Sequence, residues 1–85
     1  MAEQKPSREE LLAKIRATLA DLLDNKDLQI SESTAADEVD DWDSINHVRL
    51  LIELERDLGF RFAADEAGGL KNVGDLIDLI QKKLS

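Results

Sequence analysis

Asp43-Ser44-Ile45 is the tripeptide of this sequence best placed to carry chemistry. Ser44 stands at the predicted mouth of the most apolar helix, where a hydroxyl is exposed. The first backbone N–H groups of a helix have no partner within it, and they favour an anion. A phosphodiester on Ser44 would therefore occupy a favourable electrostatic position. Serine at a helix start is also the ordinary cap. The tripeptide by itself does not separate a modified serine from a capping one.

The neighbouring residues offer weaker chemistry. His47, the single histidine, follows Ser44 by one helical turn and invites a Ser-His nucleophile reading. Nothing in the chain supplies an oxyanion hole, and a small exposed helix lacks the enclosure such chemistry needs. His47 reads better as a surface contact beside Ser44. Trp42 reads first as a loop aromatic packed on the helices. Its ring is also a candidate border of a partner surface, because tryptophan is favoured at binding hot spots. Glu32, Asp37, Glu38, Asp40, Asp41 and Asp43 crowd one stretch that has no basic residue. They lack the glycine turn and ligand alternation of a calcium loop. No metal site is expected there. The absence of cysteine removes disulfides, zinc fingers and thiol chemistry together.

These residues must be positioned by three helical patterns. Ser7 with Glu10 is a capping-box signature, followed by Leu11, Ile15, Leu19 and Leu22 at helical spacing and widened by Leu12 and Leu23. Arg8, Glu9, Lys14, Arg16 and Asp21 fall on the opposite, polar face. Residues 25 to 43 hold no regular period, an uncommonly long connection for a compact domain. Leu28, Ile30, Val39 and Trp42 are spaced to pin it onto the helices. The second helix opens at Asp43 or Ser44, both good caps. Ile45, Val48, Leu51, Ile52, Leu54 and Leu58, with Leu50, read as one broad apolar stripe. Gly59 ends it in the left-handed conformation, with Phe60 and Phe62 anchoring the connector. A short turn is expected within residues 63 to 69. Asn72 caps a last helix carrying Val73, Leu76, Ile77, Ile80 and Leu84, with Lys82 and Lys83 in its final turn.

The expected fold is all-α: a small antiparallel bundle of three main helices, one short helix and a long first loop. A chain of 85 residues makes one small domain. Residues 1–6 read as a flexible N-terminus and 7–84 as the domain. At this size about 60–65% of the unfolded chain's surface is buried, so a deep, dry active site is hard to build. Eleven basic against nineteen acidic residues leave a net charge of −8. That balance argues against nucleic acid and anionic membranes as partners and favours fast, salt-sensitive encounters with positive surfaces. No segment approaches the roughly eighteen apolar residues of a membrane span, and the start of the chain lacks a signal-peptide core. A cytoplasmic protein is expected. It reads as a monomer, since each apolar stripe has an internal partner.

Asp43-Ser44-Ile45, followed by Val48, Leu51, Leu54, Gly59, Phe60 and Phe62, resembles the acyl carrier protein family. The likeness runs through the capped first helix, long loop, short third helix and final Val73-Gly74-Asp75-Leu76-Ile77 helix, covering about residues 7 to 84. The resemblance implies that Ser44 carries 4′-phosphopantetheine, loaded from coenzyme A by a magnesium-dependent phosphopantetheinyl transferase. It implies that Asp43 helps dock that transferase, and that Ile45 matches a position usually held by leucine. Acyl-activating, acyltransferase or synthase enzymes become the expected partners, meeting Trp42, His47, Val48, Arg49 and Ile52 beside the arm. A chain without cysteine then forms thioesters through the thiol of the arm, and catalysis belongs to its partners rather than to it.

In the second helix, His47, Arg49 and Arg56 are mixed with Glu53, Glu55 and Asp57, unlike the strongly acidic face usual in fatty-acid-synthesis carriers. That mixture points to a free-standing carrier of a specialised lipid, polyketide, secondary-metabolite or amino-acyl pathway. An unmodified acidic helical interaction module explains composition and helices equally well. It does not explain why the best-placed hydroxyl follows an aspartate and opens the most apolar helix. A small hydrolase using Ser44 and His47 is the third reading.

Overall fold

The structure, a computed structural model, describes residues 6–84. The expectation of a flexible N-terminus falls almost wholly on residues outside that range. Four helices follow in order: α1 (Arg8–Leu22), α2 (Ser44–Leu58), α3 (Ala64–Ala67) and α4 (Val73–Leu84). A 3-10 turn (Ala36–Glu38), not foreseen in the sequence, interrupts the long first loop. The all-α class holds among the described residues.

Helix α1 starts where the capping box places it. Ser7 Oγ accepts from the Glu10 amide at 3.1 Å, and Glu10 Oε1 accepts from the Ser7 amide at 2.8 Å. Leu11, Ile15 and Leu19 are buried, against α2 on one side and α4 on the other. Helix α2 ends at Gly59, whose φ of 77° and amide bond to the Glu55 carbonyl close the last turn. Phe60 and Phe62 then meet edge to face, 4.8 Å between centroids. The Phe62 amide donates to the Glu55 carboxylate at 2.6 Å, which ties the connector to α2.

The long loop is held by its scattered apolar residues. Leu28 and Trp42 are buried in the core, while Ile30 and Val39 pack against it half-buried. The loop also caps α4. The Val73 amide donates to the Thr34 carbonyl at 2.9 Å and the Gly74 amide to the Glu32 carbonyl at 2.7 Å. Two first-turn donors of α4 thereby find acceptors from distant chain. Asn72 Oδ1 takes a third, from Asp75, at 2.8 Å.

Two readings of the sequence need correction. Arg8 is not simply a residue of the polar face: its guanidinium bonds Glu32 of the loop and both Asp78 and Gln81 of α4. The single apolar stripe of α2 is in fact two. Leu50, Leu51 and Leu54 are buried and Leu58 packs against them, whereas Ile45 is 66% exposed and Val48 and Ile52 are 53% exposed. At about 100° per residue Leu50, Leu54 and Leu58 centre roughly 150° round the helix from Ile45, Val48 and Ile52, with Leu51 between the two groups. Ile45, Val48 and Ile52 thus have no place in the core, and not every apolar stripe has an internal partner.

Candidate functional site

The site is built at the start of α2 by a turn that the loop delivers. Asp41 adopts a φ of 70°, a left-handed conformation that aspartate tolerates better than most residues. Its carbonyl, turned back by that conformation, accepts from the Asp43 amide and from Asn46 Nδ2, both at 2.9 Å. Asp43 is the cap of α2. Its Oδ1 accepts from the Asn46 amide at 2.9 Å, and its carbonyl accepts from the His47 amide at 2.8 Å. Of the two residues read as possible caps, Asp43 takes the role, which leaves the Ser44 hydroxyl for other work.

Ser44 is the first residue of the helix, and it is exposed. The amides of Ser44 and Ile45 lie ahead of the first intrahelical bond and have no acceptor among the described residues. A negatively charged group on the Ser44 oxygen meets two free donors and the positive end of a fifteen-residue helix.

Beside Ser44 a groove of about 710 Å³ runs between the loop, α2 and the segment before α4. Trp42, His47, Val48, Leu51 and Leu70 contribute to its walls, with Asp37 and Asp43 at the polar end. Trp42 is 7% exposed, so it packs in the core and offers only an edge to the groove. Its Nε1–H donates to His47 Nδ1 at 3.2 Å, with the rings 6.0 Å apart. His47 is therefore half-buried and oriented by the indole, with Nδ1 as the accepting nitrogen.

Val48, Arg49 and Ile52, proposed from the sequence as partner contacts, all lie exposed on α2, as does Ile45. Ile45, Val48 and Ile52 line up along the helix from the turn that bears Ser44. The acidic residues of the loop do not converge: among the described residues no group of three or more histidine, cysteine, aspartate or glutamate side chains is arranged to hold a metal ion. No helix among the described residues is long and apolar enough to cross a membrane.

The site thus brings together an exposed hydroxyl, a helix start with two free amides and a groove walled in part by apolar side chains. The serine oxygen, the two amides and the groove fit a phosphodiester followed by a flexible, partly apolar arm.

No family model matches the chain. It is 31% identical over 80 residues to an acyl carrier protein of Thermosynechococcus vestitus, spanning 93% of this chain and 98% of that one. To an acyl carrier protein of Lactobacillus acidophilus it is 35% identical over 75 residues, 88% of this chain and 94% of that one. The solution NMR structure of the holo acyl carrier protein of Geobacter metallireducens superposes with a TM-score of 0.77 at 38% identity, covering 87% of this chain and 84% of that one.

Proposed function

The chain belongs to the acyl carrier protein family, and from that premise we propose that it carries acyl groups as thioesters on a 4′-phosphopantetheine arm attached to Ser44. The role is that of a carrier, not a catalyst. The observation that carries the Ser44 assignment is its exposed hydroxyl beside two unpartnered amides at the start of α2.

In the loading step, the Ser44 oxygen bonds to the phosphorus bearing the pantetheine of coenzyme A. The pyrophosphate bond breaks, adenosine 3′,5′-bisphosphate leaves, and the serine proton passes to the transferase or solvent. The amides of Ser44 and Ile45 would hold the phosphodiester. Asp43 does two things at once: Oδ1 caps the helix, while the outer carboxylate oxygen is free to meet the magnesium-bearing transferase. When bound, the arm supplies a thiol that this cysteine-free chain lacks. Docking of the carrier then raises the local concentration of its cargo at a partner active site.

The carrier domain spans residues 7–84. Its partners are a phosphopantetheinyl transferase and acyl-activating, acyltransferase or synthase enzymes, which read Ile45, Val48, Arg49 and Ile52 around the arm. Trp42 and His47 set the wall of the groove along which the arm leaves. The mixed charges of α2 favour a specialised lipid, polyketide or secondary-metabolite pathway.

Intact mass before and after incubation with coenzyme A, magnesium and a broad-specificity phosphopantetheinyl transferase tests the assignment. A gain of one phosphopantetheine, absent in Ser44→Ala, is expected. A chain that starts unmodified and stays so with several active transferases would leave the unmodified interaction module as the better reading.

A further inference from the structure

The groove beside Ser44 leads inward toward a second, deeper hollow. Both are walled in part by Ala36, Trp42, His47 and Leu70. The deeper one reaches Asn72 and the buried Leu76, but it holds only about 20 Å³, room for roughly one water molecule. The outer groove, by contrast, is about 710 Å³. A tether starting at Ser44 therefore meets a wide channel at the surface and a nearly closed interior behind it. Trp42 and His47 stand between the two.

Trp42 is the larger part of that partition. Its indole belongs to the core, and its Nε1–H is engaged by His47 Nδ1 at 3.2 Å. His47 is fixed in turn by α2, where its amide donates to the Asp43 carbonyl at 2.8 Å. The two rings, tilted by 33°, form one hydrogen-bonded barrier from loop to helix. An apolar chain on its way inward has to turn the indole out. That move exposes a large apolar ring and deprives His47 Nδ1 of its donor. Apolar surface is exchanged, and what the chain gains on leaving water is largely lost again at the indole.

We propose that Trp42 and His47 determine the class of cargo: they bar the interior to long apolar acyl chains, and the arm carries short or polar acyl groups that stay in the open groove. The inference rests on the carrier reading of Ser44 and deepens it by naming the substrate class. A short acyl group has little apolar surface to hide, and the groove offers it polar neighbours in Asp37, Asp43 and His47. A long chain on the same arm finds no dry volume and remains in water, as an apolar patch of the kind that drives association. Truncating either ring joins the hollow to the groove and opens a route inward.

The test loads the full chain with acetyl or octanoyl phosphopantetheine, each load confirmed by intact mass. Trp42 is the single tryptophan, so its emission reports on the partition directly. In the parent chain the two cargoes are expected to give the same emission maximum and the same amide shifts at Leu70 and Leu76. Their Tm values are expected to differ by less than about 1 °C. In Trp42→Ala and His47→Ala, octanoyl is expected to raise Tm over acetyl by about 4 °C or more, because a chain bound inside the fold stabilises it. Should Trp42→Ala fail to fold, His47→Ala, at a half-buried position, gives the comparison. The proposal is overturned if octanoyl stabilises the parent chain and moves the emission or those amides, or if neither folded variant gains from octanoyl. A chain that takes no arm refutes the carrier reading, whereas a loaded chain that shelters octanoyl refutes this proposal alone. Ser44→Cys, alkylated with methyl- or dodecyl-maleimide in a chain that has no other thiol, repeats the comparison without a transferase, and the same two outcomes decide it.

Discussion

The amide of Gly74 donates to the backbone carbonyl of Glu32 at 2.7 Å, and a Cβ built on Gly74 would lie 3.0 Å from that same oxygen. They stand 42 positions apart in the sequence. The close approach lets the loop cap α4, and a Cβ at this position would need the Glu32 backbone carbonyl to give by a few tenths of an ångström.

Gly74→Ala should therefore destabilise the fold even though alanine is the better helix former. Crowding costs about 1–3 kcal/mol, offset by roughly 1 kcal/mol of helix propensity. A net loss of about 1 kcal/mol is expected, a fall in Tm of roughly 4–8 °C. A rise in Tm on thermal melting would show that the loop yields freely and that the contact constrains nothing.

Asp24 offers the opposite opportunity. It holds a φ of 53° just beyond α1, where its amide donates to the Asp21 carbonyl and that of Asn25 to the Ala20 carbonyl. This is a Schellman closure with aspartate at the position that favours glycine. Asp24→Gly should stabilise by about 0.5–1 kcal/mol, measured by urea titration. No gain in midpoint would mean that the aspartate pays nothing for its conformation.

The division of α2 into an inner and an outer apolar side is tested by alanine. Leu54→Ala should cost about 2–5 kcal/mol, since the side chain is fully buried. Ile52→Ala should change stability by less than about 0.5 kcal/mol. Similar losses for the two would restore the single stripe read from the sequence.

Asp43 separates helix capping from transferase docking. Asp43→Asn keeps a capping acceptor and should leave the melting temperature nearly unchanged, while Asp43→Ala should cost about 1 kcal/mol. If the carboxylate charge serves the transferase, both variants should load more slowly by mass spectrometry. Loading of Asp43→Asn at the normal rate would confine this residue to the cap.

Three carboxylates titrate below their ordinary range. Arg8, through hydrogen bonding and then charge, holds Glu32 down; Lys14 does the same to Asp57, and Lys83, with the Ala63 amide, to Glu66. Each is more acidic folded than unfolded, so each contributes stability above its unfolded value, 4.5 for Glu32 and Glu66 and 3.8 for Asp57. That contribution is lost as pH falls through the folded values. All three are solvent-accessible, so the effect is small. Melts from pH 6 down to the acid transition should show a shallower slope for Glu32→Gln than for the parent chain; identical slopes would remove Arg8–Glu32 as a source of acid sensitivity.

Much of the fold was legible because its signals are local. The Ser7–Glu10 box, the Asn72–Asp75 cap, the left-handed Gly59 and the heptad-like spacing of Leu11, Ile15 and Leu19 each act within one or two turns, where sequence neighbours are also spatial neighbours. The exposure of Ser44 at a helix start was legible for the same reason, since Asp43 and Ser44 both carry capping chemistry. The sidedness of α2 was within reach too. Counting 100° per residue separates Ile45, Val48 and Ile52 from Leu50, Leu54 and Leu58, whereas grouping by hydrophobicity alone merges them.

By itself, then, the sequence determined the helices, their caps, the acidic balance and the exposed Ser44, all consequences of short-range backbone chemistry. Only the tertiary structure decided that the Glu32 and Thr34 carbonyls cap α4, that Arg8 joins the loop to α4, and which side of α2 the core covers. Each of these joins groups distant in sequence or depends on which side of a helix the core covers. Local propensity carries no information about either; the packing of the three helices supplies it.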